Sequence, residues 1–184
     1  MKILTGLLRG RPIDFEPGPH LRPTSDKARK AMFDMLQGQV EGRRVLDLFS
    51  GTGALGFEAV SQNAAEVVFV EQNAALCKKI EENLKRWPFS GRVDVCGEEV
   101  VEWLSHASHS AGSVDLIFMD PPYDAGLTLS TLKAISASGI LKNGGFVFLE
   151  CRRREDVPEA CGTLKQVRDK RYGQTKVLVY LNGG

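Results

Sequence analysis

Residues 47–56 read Asp47-Leu48-Phe49-Ser50-Gly51-Thr52-Gly53-Ala54-Leu55-Gly56, and they decide the fold class. The apolar run Val45–Phe49, broken by one acid, leads into the stretch, and a helical pattern over Ala54–Ser61 leads out of it. A strand that feeds a helix through a glycine turn begins a strand–helix–strand unit, which requires a parallel sheet with right-handed crossovers. Gly51, Gly53 and Gly56 make a GxGxxG pattern. Glycines there let the backbone turn tightly and come close to a ligand.

The alternation continues outward. Strand patterns are expected at Glu66–Val70, Arg92–Val95, Val114–Met119 and Gly145–Glu150. Helices are expected at Ala74–Trp87, stopped by Pro88, near Glu98–His106, and at Leu127–Ser136. The final runs, Thr163–Tyr172 and Thr175–Leu181, flank Gly173-Gln174 and predict a β-hairpin, so the last strand runs antiparallel. Upstream, prolines at 12, 17, 19 and 23 predict an arm that is extended or loop. A helix capped by Ser25 or Asp26 then runs to about Leu36 and ends at Gly38. The expected fold is one α/β domain over residues 1–184, Rossmann-like, with a mostly parallel seven-stranded sheet. Residues 1–40 form an arm plus helix and 41–184 the core. A parallel sheet closed by such a hairpin is typical of class I S-adenosylmethionine methyltransferases, whereas a dinucleotide-binding domain continues with parallel units.

Charge separates two ligands that a glycine loop can take. Glu71 stands at the end of the second strand pattern, where an acid can bind both hydroxyls of a ribose. That fits a dinucleotide and S-adenosylmethionine equally. Asp47, just before the glycines, would repel a pyrophosphate but favours the sulfonium and ammonium of S-adenosylmethionine. Glu98, after the third strand, can accept from an adenine amino group, or simply sit at a helix N-terminus. The expected cofactor set is Asp47, Phe49, Ser50, Gly51, Thr52 and Gly53 in the loop, Glu71 with Gln72, and Glu98 with Glu99.

The strand Val114–Met119 delivers Asp120-Pro121-Pro122-Tyr123 at its carboxyl end, the end where open α/β sheets bind ligands. An amino group on an aromatic base is a poor nucleophile because its lone pair is delocalised into the ring. Two acceptors, the Asp120 carboxylate and the Pro121 carbonyl, can hold its N–H groups and favour a more tetrahedral nitrogen. The prolines, Pro122 included, stiffen the turn. Tyr123 offers a face for stacking an extruded base. These four form the expected catalytic set, with no metal.

Composition sets the remaining bounds. The net charge of +1 hides a basic start (residues 1–44, +4), an acidic middle (45–150, −7) and a basic end (151–184, +4). Basic ends around an acidic pocket suit phosphate binding beside a cationic cofactor. Arg9, Arg11, Arg22, Lys27, Arg29 and Lys30 precede the core, and Arg152, Arg153 and Arg154 follow the strand after Asp120–Tyr123. Lys165, Arg168, Lys170 and Arg171 lie on the hairpin. Cys77, Cys96, Cys151 and Cys161 fit no zinc spacing and read as reduced thiols of a cytoplasmic protein. No apolar run approaches the roughly 20 residues that span a membrane. His20, His106 and His109 have no partner pattern, and Trp87 and Trp103 read as packing.

The segments LDLFSGTGALGFEA, FVEQN, DLIFMDPPYDAG, LRPTSDKARKAMFDML and RYGQTKVLVYL together resemble the bacterial RsmD-type methyltransferases over nearly the whole chain. That resemblance implies methylation of the N2 amino group of a guanine in 16S ribosomal RNA. It places Asp120, Pro121 and Tyr123 at the base, Glu71, Gly51, Gly53 and Asp47 at the cofactor, and Arg22 and Thr24 near the methionine end or the substrate. Arg9, Arg11, Arg29 and Arg152 complete the expected substrate contacts. The expected partner is 16S RNA or a small-subunit assembly particle, and a monomer is expected. The alternatives are an N6-adenine methyltransferase and, less well matched, a nicotinamide-dependent oxidoreductase.

Overall fold

The computed structural model describes residues 1–15, 26–106, 112–122 and 126–183. The helices are α1 (Asp26–Leu36), α2 (Ala54–Ser61), α3 (Ala74–Leu84), α4 (Val100–His106) and α5 (Leu127–Ser138). The strands are β1 (Arg44–Leu48), β2 (Glu66–Val70), β3 (Arg92–Cys96), β4 (Val114–Met119), β5 (Leu141–Arg152), β6 (Ala160–Cys161), β7 (Leu164–Tyr172) and β8 (Thr175–Asn182). Among the described residues they form one sheet in the order β3-β2-β1-β4-β5-β8-β7-β6. The first five are parallel, and β8 inserts antiparallel between β5 and β7.

Both faces of the sheet are covered, which is why β4 is buried at every position. On one face α1, α2 and α3 pack over Val45, Phe69, Phe118, Phe148 and Val179. On the other, α4 and α5 pack over Leu46, Leu48, Val70, Ile117 and Met119. Phe118 joins the first face to α1, its ring 5.0 Å from Phe33 and 5.7 Å from Phe148. Each such side chain withdrawn from water contributes roughly 1.5–3 kcal/mol before entropy is charged against it.

Three elements differ from the sequence pattern. Helix α3 stops at Leu84, because the Arg86 and Trp87 amides bond three residues back, to Asn83 and Leu84. That tighter turn tucks Trp87 under Phe57, edge on at 5.1 Å. Strand β5 begins at Leu141 and runs to Arg152, its register against β4 interrupted by an irregularity after Leu141. The two-residue β6 makes an eighth strand, too short for a periodic signal, and it lies on the outer edge of β7.

Residues 1–13 of the arm form a folded-back ribbon. Lys2 and Pro12 make an antiparallel bridge, and Ile3, Leu8 and Ile13 are buried. The ribbon is held by α2. Glu58 accepts the Leu4 and Thr5 amides at 2.6 and 3.0 Å, and the Ser61 carbonyl accepts the Leu7 amide at 2.7 Å. The later prolines of the expected arm, and Ser25, lie outside the described residues.

Candidate functional site

The glycine loop is a strained turn held from both sides. Phe49 has a left-handed φ of 58°, uncommon for a residue with a side chain, and Gly51 and Gly53 follow at 53° and 76°. Ser50 fixes the turn, its hydroxyl donating to the Asp47 carbonyl at 2.6 Å and its amide to the Val70 carbonyl at 3.1 Å. Thr52 is buried in the same turn. Gly53 caps α2, and its carbonyl accepts the Phe57 amide at 2.8 Å. The third glycine serves packing: a Cβ on Gly56 would lie 2.2 Å from the Phe69 ring. This lets α2 approach β2 closely.

Asp47 turns inward. It is 1% exposed, and its Oδ2 accepts the Gly56 amide at 2.8 Å, tying the end of β1 to the first turn of α2. Burial holds its carboxyl well above the usual carboxylate range; the Gly56 amide opposes this, and neighbouring Asp120 and Glu71 add to it. Glu71 bridges two turns. Its Oε2 accepts the Gly51 amide at 2.8 Å and its Oε1 the Asn73 amide at 2.9 Å. Gln72, beside it, is exposed.

Register turns these acids into a row. Asp47 of β1 lies beside Phe69 of β2 and Phe118 of β4, and Phe118 lies beside Phe148 of β5. Aligned residues of parallel strands point to one face, and residues two apart share it. Glu71, Asp120 and Glu150 each follow one of these phenylalanines by two positions. Four carboxyl groups therefore crown the face covered by α1, α2 and α3, at the carboxyl ends of β2, β1, β4 and β5. Pro121 is buried and Pro122 exposed, while Tyr123 lies outside the described residues. The sequence reading missed Glu150. Its signal was the repeat of phenylalanine and an acid two residues on, at 69–71, 118–120 and 148–150.

The third strand delivers its acids differently. Glu99 accepts the Glu102 amide at 2.8 Å and so caps α4. Glu98 pairs with His106 Nε2 at 2.9 Å, which gives that histidine a partner the sequence pattern did not suggest.

The basic residues separate into three places. Arg152, Arg153 and Arg154 are exposed just beyond Glu150. Register sets Cys151 beside Lys176 and Lys176 beside Arg171, so these two hairpin cations share that end of the sheet, whereas Lys165, beside Leu181, lies at the other. Arg9 and Arg11 are exposed on the ribbon, which docks at Ser61. That is the far end of an eight-residue helix, about 12 Å from the glycine loop. Arg29 is enclosed and not on the surface: it is fully buried, donates to the Lys2 carbonyl at 2.8 Å and to Asp26 at 2.7 Å, and faces Glu58 at 3.6 Å. The expected contact of Arg29 with RNA is thus replaced by a contact within the fold. Arg22 and Thr24 lie outside the described residues.

The cysteines are free thiols, and no metal-holding group of acids, histidines and cysteines occurs among the described residues. No helix among them is long and apolar enough to cross a membrane.

Known proteins agree with this architecture. YlbH of Bacillus subtilis, provisionally named an rRNA methyltransferase, is 31% identical over 184 residues, all of both chains. Ribosomal RNA small subunit methyltransferase D of Escherichia coli K12 is 28% identical over 180 residues, 98% of this chain and 89% of the relative. A solved Escherichia coli structure, YhhF, also provisionally named a methyltransferase, shares the fold with a TM-score of 0.87 at 24% identity, over 100% of this chain and 98% of that one. The family described as "Conserved hypothetical protein 95" matches residues 1–181, and the chain belongs to it.

Proposed function

We propose that this chain transfers a methyl group from S-adenosylmethionine to the N2 amino group of a guanine in 16S ribosomal RNA. The carrying observation is the row of Asp47, Glu71, Asp120 and Glu150 along one end of the sheet. Its chemistry fits a cationic donor. Crowded, buried carboxyl groups resist ionisation, and a bound sulfonium and ammonium relieve that cost. A pyrophosphate would increase it. When bound, S-adenosylmethionine supplies a methyl group on a sulfonium, open to attack by an amine. Glu71 would accept ribose hydroxyls, and the glycine-loop backbone would hold the methionine end. Asp120 and the Pro121 carbonyl accept the two N–H groups of the base, and Tyr123 stacks on it. Holding the amine in line supplies much of the rate. The cations Arg152–Arg154 and Arg171 lie at the same end of the sheet as Asp120 and suit RNA phosphates. The names of the relatives, which act on ribosomal RNA, support the same substrate class.

Labelled methyl transfer to small-subunit particles lacking the modification tests this. The nucleoside product should be N2-methylguanosine, and Asp120→Ala should lower kcat by about a hundredfold or more. N6-methyladenosine as product, or undiminished transfer by the variant, would overturn it.

A further inference from the structure

Glu150 belongs to the row, yet no step above uses it. Only 2% of it is exposed, and its Oε2 has no hydrogen-bond partner among the described residues. Leaving a buried carboxylate oxygen without a donor is costly, whereas a neutral acid tolerates the same position far better. The Thr175 hydroxyl, across the β5–β8 ladder, is in reach of the Glu150 carboxyl, where as a donor it would favour the charged form. Thr175 donates its single proton to the Tyr172 carbonyl at 3.1 Å. Its oxygen therefore keeps acceptor capacity for an acid O–H, the polarity a protonated carboxyl needs.

The surrounding charges agree. From β4, Asp120 is the charge that most opposes ionisation of Glu150, and Asp47 and Glu71 extend the row through β1 and β2. From β8, Lys176 is turned away, donating to the Glu155 carbonyl at 2.7 Å. On β5 itself, Cys151 is a buried thiol and Arg152 is exposed. On α1, Arg29 is engaged by Glu58 and Asp26, Lys30 pairs with Asp34, and Lys27 is exposed. Burial and Asp120 together push the Glu150 carboxyl up to about 8.

We propose that Glu150 is a positioning residue for Asp120: it is the neutral member of a carboxyl pair whose single negative charge is left on Asp120. Two adjacent carboxyl groups cannot both ionise cheaply, so protonating the buried one keeps the other as the acceptor facing the base. This rests on the role given to Asp120 above.

Two measurements on the full chain test it, and the first does not depend on the substrate. In carboxyl ¹³C NMR, the Glu150 resonance, identified by its absence in Glu150→Gln, should be protonated at about pH 6.5. It should titrate near 8 and move down by about one pH unit in Asp120→Asn. A Glu150 already ionised at about pH 6.5, or a midpoint unmoved by Asp120→Asn, would overturn the proposal. In methyl transfer, Glu150→Ala should lower kcat about tenfold with KM for RNA and methyl donor within about twofold. Glu150→Gln, neutral and of the same shape, should recover most of that loss and lack the fall in kcat expected of wild type above about pH 8. A glutamine variant as poor as the alanine variant, or one with the wild-type pH profile, sinks the idea. Absence of transfer by the wild-type chain would count against the proposed substrate, while the titration still decides the carboxyl pair.

Discussion

The carboxylate of Glu71 accepts the backbone amide of Gly51 at 2.8 Å, so the end of β2 clasps the turn that follows β1. The other oxygen of the same group holds the Asn73 amide, which aims the carboxylate across the loop. A hydrogen bond to a charged group contributes about 1.5–3 kcal/mol. Glu71→Ala should therefore weaken S-adenosylhomocysteine binding by roughly tenfold to a hundredfold in calorimetry. Glu71→Gln should lose less, because an amide oxygen still accepts. Unchanged affinity in the alanine variant would remove Glu71 from the cofactor site.

Gly56 is a packing glycine. The methyl group of Gly56→Ala would meet the Phe69 ring at 2.2 Å, and that ring is itself fully buried. Overpacking of this kind costs about 1–3 kcal/mol, to be read in urea denaturation. Adding Phe69→Leu should return part of the loss by making room. Equal stability of Gly56→Ala and wild type would show that α2 can move off the sheet at no cost.

Glu58 joins the ribbon to α1 and α2. It receives two ribbon amides and faces the buried guanidinium of Arg29, whose Nε and Nη1 have no hydrogen-bond partner among the described residues. Glu58→Ala takes one of two carboxylates from the buried guanidinium, leaving Asp26, and strips two ribbon amides of their acceptor, at a cost of up to about 3–5 kcal/mol. Amide exchange should then accelerate first at Leu4 and Thr5. Protection there that matches wild type would mean the ribbon is anchored by its apolar side chains alone.

Glu150 should also make stability depend on pH. Its carboxyl titrates near 8 in the fold, against an ordinary value of 4.5. Between those values the folded chain holds a proton that the unfolded chain has released. The contribution is complete below about pH 4.5 and is lost as pH rises to about 8, at up to roughly 1.4 kcal/mol per pH unit. Glu150→Gln carries no such proton, so its Tm relative to wild type should climb from about pH 5 to about pH 8. A constant difference across that window would place the titration elsewhere.

The chain announces most of its architecture locally. The limits of α2, β2 and β4 follow from periodicity and glycine placement alone, and the closing hairpin follows from Gly173-Gln174 between two strand patterns. Asp47, Glu71 and Asp120 are visible as acids at strand ends, because strand ends are punctuated by glycine and proline. Tertiary structure decided what those acids do together. Asp47 looks like a ligand group in the sequence, and folding gives its Oδ2 the Gly56 amide as well. Arg29 looks like one basic residue among several, but α1 carries it inside against Glu58. Glu150 looks like the end of an apolar run, and only the pairing of β4 with β5 sets it beside Asp120. The difference is physical: periodicity and turn chemistry act over a few residues, whereas burial, register and the spacing of charges arise between strands far apart in sequence.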